Sequence, residues 1–224
     1  MTTTRRIGLL GGTFDPIHRG HTDLAAAAQD TLGLSQVLVI PANVPPHRPK
    51  PLTSSFHRFA MTALVVAGRP GWRASDVELR HEAPSYTVTT LRRFHDRGYA
   101  PHELFFLIGA DAFRDIATWR DYPSIFERSH FAVISRPGHP VSALRAHLPA
   151  LAPRMVDAVA GLTIPEKLSI FLIDANTADV SSTALRTTLA RGERLEGQVD
   201  PRVQQHIEQH GLYRFGSSER RHAL

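Results

Sequence analysis

The sequence predicts an α/β fold, a doubly wound parallel sheet with helices on both faces, in one domain. Three features of the 224 residues carry this expectation. Continuous apolar runs such as Val37-Leu38-Val39-Ile40, Leu104-Phe105-Phe106-Leu107-Ile108 and Phe131-Ala132-Val133-Ile134 lack the alternation of a half-exposed strand and suit strands covered on both faces. Helix-like segments lie between most of them, as a parallel sheet requires for its crossovers. No internal repeat, low-complexity stretch or shift in composition marks a second domain. In such sheets ligands bind outside the carboxyl ends of the strands.

The first strand is Ile7-Gly8-Leu9-Leu10, and a helix is expected behind it from Leu24, Ala25 to Ala28 and Leu32. Between them stands Gly11-Gly12-Thr13-Phe14-Asp15-Pro16-Ile17-His18-Arg19-Gly20-His21. Glycines at 11 and 12 are expected to let the backbone turn sharply and approach a ligand. The helix start offers unpaired N–H groups and a positive dipole end to an anion. His18 and His21, at i and i+3, share one face of the first turn and can donate hydrogen bonds or carry charge toward a phosphate. Gly20 between them leaves room for a base or ribose against the helix backbone. Spacing alone leaves three other readings open: a plain turn, a solvated helix face and a zinc pair. The last is the weakest, because the chain has no Cys and no H-E-x-x-H pattern.

Val37 to Ile40, following Gly33, completes a βαβ unit. Pro41 to Pro51 is a proline-rich loop gathering His47, Arg48 and Lys50. Ser54 or Ser55 can cap a helix to about Ala67, and Trp72 to Leu79 is expected as a strand. Pro84-Ser85-Tyr86-Thr87 opens a helix ending near Gly98. Leu104 to Ile108 is the clearest buried strand, with Gly109-Ala110-Asp111 at its end. Thr118-Trp119-Arg120-Asp121-Tyr122 follows, then a strand at Phe131 to Ile134 ending in Ser135-Arg136-Pro137-Gly138. Val141 to about Gly161 is expected to be helical, interrupted by Pro149 and Pro153, and Leu168 to Ile173 is the last strong strand. Ser181-Ser182-Thr183-Ala184-Leu185-Arg186 puts hydroxyls at a helix start and an Arg one turn on, able to fork two phosphate oxygens. Pro201 to His210 forms a final helix. Residues 1–213 are thus expected as one domain and 214–224 as a polar tail.

Composition narrows the classes of partner. No run approaches the roughly 20 apolar residues of a spanning helix, and the four apolar residues after Arg5-Arg6 are too few for a signal-peptide core. A cytoplasmic protein without membrane attachment is expected. Zero Cys excludes disulfides and thiolate metal sites. The net charge of +5 and pI near 10.2 come almost wholly from scattered Arg, with Lys only at 50 and 167 and no basic run longer than two. That pattern predicts anionic small substrates rather than nucleic acid.

G-G-T-F-D-P-x-H-x-G-H resembles the signature of nucleotidyltransferases that share H-x-G-H with class I aminoacyl-tRNA synthetases. Its form here is most similar to that of bacterial nicotinate-nucleotide adenylyltransferases, and the match continues in order to about residue 213. The resemblance implies a Rossmann-like nucleotidyltransferase fold. It also implies transfer of AMP from ATP to nicotinate mononucleotide, giving nicotinate adenine dinucleotide and pyrophosphate. His18, His21 and Arg186 would be catalytic, with Mg²⁺ carried by the ATP phosphates and no protein metal ligand. Gly11, Gly12, Thr13 and Phe14 would complete the ATP side together with Gly109, Asp111, Arg136, Ser181, Ser182 and Thr183. Asn43, His47 and Arg48 resemble the segment over the mononucleotide phosphate. Thr87 would offer a backbone N–H to the nicotinate carboxylate, and Trp119 would stack on the pyridine. Arg120 departs from the Tyr of several relatives, and its side chain has two possible placements, toward the carboxylate or toward solvent. Two rivals stay open: a sibling enzyme using phosphopantetheine, and a non-enzymatic nucleic-acid-binding protein. The resemblance does not give an oligomeric state.

Overall fold

The protein is described by a computed structural model in which residues 5–46 and 50–214 are placed. Seven parallel strands form one sheet: β1 (Ile7–Gly12), β2 (Gln36–Pro41), β3 (Trp72–Ala74), β4 (Leu104–Gly109), β5 (His130–Ile134), β6 (Met155–Asp157) and β7 (Ile170–Ile173). Their order is β3-β2-β1-β4-β5-β7-β6, with every neighbouring pair parallel. The helices are α1 (Arg19–Leu32), α2 (Ser55–Val66), α3 (Thr87–His95), α4 (Ala110–Phe113), α5 (Leu144–His147), α6 (Ser182–Ala190) and α7 (Pro201–Gln209).

The chain winds outward from β1 through β2 to β3, then returns to the other side of β1 at β4. Right-handed crossovers therefore put α1 and α2 on one face and α3 on the other, while α6 and α7, which follow the last strand and are not crossovers, fold back onto the face of α1 and α2. The core divides accordingly. Leu10, Val37, Val39, Phe105, Leu107 and Phe171 face the layer of α1, α2, α6 and α7. Leu9, Leu38, Ile40, Phe106, Ile108 and Phe131 face the layer holding Val88, Leu91 and Phe94 of α3. Alternation along each strand is thus present, but both faces are apolar, which is why the runs are continuous. The switch of direction lies between β1 and β4, so Gly11-Gly12 and Gly109 end side by side where ligands of such sheets bind.

Two expected elements differ. The strand at Trp72 ends at Ala74 instead of Leu79, because residues 76–81 form turns, with Arg80 N bonded to Asp76 O and His81 N to Glu78 O. Val77 and Glu78 are both buried in that turn, so burial there continues past the end of the strand. Val141 to Gly161 is not one helix. Pro149 and Pro153 confine it to short 3-10 pieces and the one-turn α5, and Met155–Asp157 leaves as the edge strand β6 beside β7. No described helix is long and apolar enough to cross a membrane.

Candidate active site

Gly11 and Gly12 lie within β1, and the sharp turn comes after them, at Phe14 with φ 52°. The expectation that these glycines make the turn is therefore corrected. Gly12 is glycine because a Cβ would sit 2.6 Å from the Phe14 ring, which folds back over the strand end. Gly11 answers no such demand: a Cβ there meets only the Phe106 ring, at 3.7 Å, leaving its backbone open to a ligand.

His18 is the N-cap of α1, with extended backbone, and His21 is its third residue. Their rings stack at 3.7 Å between centroids, and His18 N donates to His21 Nδ1 at 3.2 Å. His18 is 5% exposed, and its Nδ1 is buried without a hydrogen-bond partner. Burial, with the Arg136 guanidinium adding repulsion, pushes its pKa down to about 3. His18 is consequently a neutral imidazole, able to donate from one nitrogen but not to carry charge near neutral pH.

The surface over Gly20 is not open to a base or ribose, which corrects the second expectation. A Cβ there would lie 2.7 Å from Arg136 Nη1, because the guanidinium occupies that space. Arg136 donates to Gly20 O, Ala178 O, Val180 O and Thr177 Oγ1 at 3.2–3.3 Å. Asp23 Oδ2 accepts from Ala178 N at 3.0 Å, so residues 177–180 are strapped across the start of α1 from both sides. This strap delivers the chain into α6.

Helix α6 starts at Ser182 behind the N-cap Ser181, whose Oγ accepts from Ala184 N. Ser182 Oγ donates to Pro16 O at 3.0 Å. Arg186 donates to Asp15 O at 2.9 Å and to Thr183 Oγ1 at 3.1 Å. The two chemical elements, 166 to 171 residues apart, thus meet directly.

Three residues given no role by the sequence reading hold this junction. The buried Asp15 carboxylate accepts from Leu52 N (2.8 Å), Thr53 Oγ1 (2.6 Å) and Tyr213 Oη (2.7 Å). Burial, and then Asp15, drive the Tyr213 hydroxyl's pKa up, so it remains a donor. Arg58, 1% exposed, donates to Thr13 O (2.7 Å), Ala42 O (2.6 Å) and Asn43 O (3.4 Å), fixing the loops after β1 and β2 together. Burial lowers the Arg58 pKa, opposed by Asp15, Tyr213 and Glu78. The available signal for Arg58 was its place on the buried stripe of α2 with Met61, Thr62 and Val65, where an Arg needs polar partners.

On the other side of the switch point, Asn43 N donates to Ser85 Oγ (3.0 Å) and Asn43 Nδ2 to His81 O (2.8 Å), joining the loop after β2 to the loop before α3. Beneath it the buried Glu78 accepts from Thr90 Oγ1 at 2.5 Å, its pKa raised by burial. Thr87 is the first residue of α3, a position whose N–H has no intrahelical acceptor. The Arg120 guanidinium lies over the Tyr86 ring, 4.8 Å from its centroid, beside Thr87. Trp119 is half-buried and meets Phe106 edge to face at 6.0 Å, the same ring that borders Gly11. Gly109 is glycine because a Cβ would collide with Asp111 Oδ1 and approach Arg136 Cγ to 3.0 Å. His47 and Arg48 lie outside the described residues.

The structure therefore gathers Thr13, Phe14, His18, His21, Arg136, Ser181, Ser182, Thr183 and Arg186 around the start of α1, with Gly109 and Asp111 at the adjoining strand end. Asn43, Thr87, Trp119 and Arg120 lie toward the α3 layer. Gly11 and Gly12 stand between the two groups. A strip of stacked imidazole and guanidinium donors beside an aromatic ring and an orphan helix N–H suits an anionic nucleotide facing a smaller planar anion.

A sequence profile described as cytidylyltransferase-like matches residues 9–188. A probable nicotinate-nucleotide adenylyltransferase of Roseiflexus sp. (strain RS-1) is 41% identical over 209 residues, covering 93% of this chain and 98% of its own. Another, from Desulfatibacillum aliphaticivorans, is 36% identical over 217 residues, covering 93% and 99%. Among solved structures, Plasmodium falciparum nicotinic acid mononucleotide adenylyltransferase complexed with NaAD aligns with a TM-score of 0.69 over 93% of this chain and 97% of that one. At 19% identity that likeness speaks for the fold alone.

Proposed function

The chain belongs to the cytidylyltransferase-like family and, within it, to the nicotinate-nucleotide adenylyltransferases, and from this premise we propose how its own residues divide the work. The enzyme forms nicotinate adenine dinucleotide in NAD biosynthesis. ATP lies along the start of α1, its phosphates against His18, His21 and the N-terminus of α6. Nicotinate mononucleotide lies toward Asn43, Thr87 and Trp119, and the sequence resemblance adds His47 and Arg48 as contacts of its phosphate. Its phosphate, already an anionic nucleophile, attacks the α-phosphate of ATP in line and displaces pyrophosphate. No covalent enzyme intermediate and no general base are required.

What the residues supply is position and charge stabilisation. Neutral His18 donates a hydrogen bond to the oxygen on which charge develops, and its unpartnered Nδ1 is the observation that carries this reading. An imidazole buried with a nitrogen unsatisfied costs stability unless a ligand supplies the partner. His21, stacked on it, fixes the ring and adds a second nitrogen. Arg186 turns its fork toward the leaving pyrophosphate, anchored to Asp15 O. Arg136 acts as a positioning residue, since its donors hold the strap. Mg²⁺ would neutralise the phosphates as their complex: Mg²⁺ prefers oxygen ligands, the histidines offer nitrogen, and the Asp15 carboxylate is committed to three donors.

The pyridine stacks on Trp119 and its carboxylate meets the N–H at Thr87, with Arg120 close by over Tyr86. A carboxylate only accepts, whereas a carboxamide also presents donors and is neutral. Pyrophosphate release with ATP and each acceptor tests the assignment. The expected preference for nicotinate over nicotinamide mononucleotide is roughly 10²-fold or better in kcat/KM, below the limit for a fully enclosed polar pocket. Near-equal values would contradict the pocket chemistry, and activity with phosphopantetheine alone would contradict the acceptor class.

A further inference from the structure

Away from the nucleotide cleft, α2 and α7 bring three histidines to one point. His57 Nδ1 faces His206 Nε2 at 3.1 Å, and ligand atoms of His57, His206 and His210 all lie within 4.8 Å of one another. The ring centroids of His206 and His210 are 4.4 Å apart, and those of His57 and His210 4.9 Å. We propose that His57, His206 and His210 form a binding site for a zinc-class transition-metal dication that pins α7 to α2.

The chemistry and spacing both favour a metal. Imidazole nitrogens suit Zn²⁺ and its neighbours and do not suit Mg²⁺ or Ca²⁺. Tetrahedral Zn²⁺ with N ligands at 2.0–2.1 Å has donors about 3.3 Å apart, so the His57–His206 pair already has the required separation. His210, the residue that closes α7, follows His206 by four positions, and its ligand atom, within 4.8 Å of the others, must close by up to about 1.5 Å to reach tetrahedral donor spacing. Its exposed position leaves room for water as the fourth ligand, giving three protein nitrogens and one open position. Two facing nitrogens otherwise share one proton; binding moves that proton to the far side of a ring or to solvent.

The location gives the site a consequence. His57 precedes Arg58, which holds the loops at Thr13 and Ala42, and His210 lies three residues before Tyr213, which holds Asp15. A cation joining the two helices therefore stabilises the scaffold under the nucleotide loop without entering it.

Isothermal titration of the chelator-treated full chain with Zn²⁺ tests this. One ion per chain is expected, bound at least about a hundredfold more weakly in His210→Ala and in His206→Ala, because losing a direct ligand exceeds the effect of losing a supporting one. His210 is exposed, so His210→Ala should fold. At a hundredfold excess over Kd, Zn²⁺ should raise Tm by roughly 5–10 °C in wild type and little in His210→Ala. His21→Ala separates this site from the imidazole pair in the cleft and should bind Zn²⁺ as wild type does. Absence of stoichiometric binding by wild type overturns the proposal. So does undiminished affinity in both trio variants, or loss of the ion in His21→Ala alone.

Discussion

The Tyr213 hydroxyl donates a 2.7 Å hydrogen bond to Asp15 Oδ1, joining residues 198 apart in sequence. Asp15 in turn presents its backbone carbonyl to Arg186 and its carboxylate to Leu52 and Thr53. The conformation of the phosphate loop is thus set by groups from α6, from the segment before α2 and from the segment after α7. None of these is its sequence neighbour.

Replacing Tyr213 with Phe removes one donor from a buried carboxylate while keeping the ring's packing. A hydrogen bond to a charged group contributes about 1.5–3 kcal/mol, so unfolding in urea should show a loss of that size with m unchanged. The loop would retain the donors from Leu52 and Thr53, and the variant should fold. A stability within a few tenths of a kcal/mol of wild type would show that the bond is not formed in solution.

Acid should destabilise the protein earlier than carboxylate titration alone would. Burial holds His18 at about 3 and His130 at about 4, against 6.5 in the unfolded chain. Above about pH 6.5 both are neutral in either state and stability is full. As pH falls from there toward the folded-state values, only the unfolded chain takes up their protons, so stability declines by up to about 1.4 kcal/mol per pH unit for each. Chemical denaturation at pH 7, 6 and 5 measures this slope. His130→Gln should remove one proton from it; an unaltered slope in that variant would refute the assignment for His130.

Arg186→Ala should lower kcat/KM for ATP about a hundredfold, the size of effect seen when a donor to developing charge is removed. The KM for nicotinate mononucleotide should change only a few-fold. Arg186→Lys keeps the charge but not the two-pronged geometry, and partial recovery is expected. A variant impaired in acceptor binding with ATP use intact would put α6 on the wrong substrate.

Much of this was legible in the chain because local pattern and tertiary role coincide. Strands buried on both faces announce themselves as Val37 to Ile40 and Leu104 to Ile108, and a helix start shows in Ser54 and in Ser181. Where the two diverge, the pattern misleads. Val77 and Glu78 are buried by a turn, so burial continues past the end of the strand, while Met155–Asp157 is an edge strand too short to stand out behind Pro149 and Pro153. The glycines show the same limit. Gly12 is needed for the Phe14 ring, which reaches it only through the conformation of the turn between them, and Gly20 for the Arg136 guanidinium, a neighbour that folding alone brings to it. Asp15, Arg58 and Tyr213 act through partners distant in sequence, and no spacing rule on one chain reaches that far.

The central claim is that the stacked His18 and His21 act on the phosphates in the transition state, and steady-state kinetics of the two alanine variants test it most directly. With the fold verified by circular dichroism and urea unfolding, each should lose about 10²–10³ in kcat, some 3–4 kcal/mol, while KM for nicotinate mononucleotide stays within a few-fold of wild type. Wild-type turnover in either folded variant, or a loss confined to acceptor KM, would contradict the account.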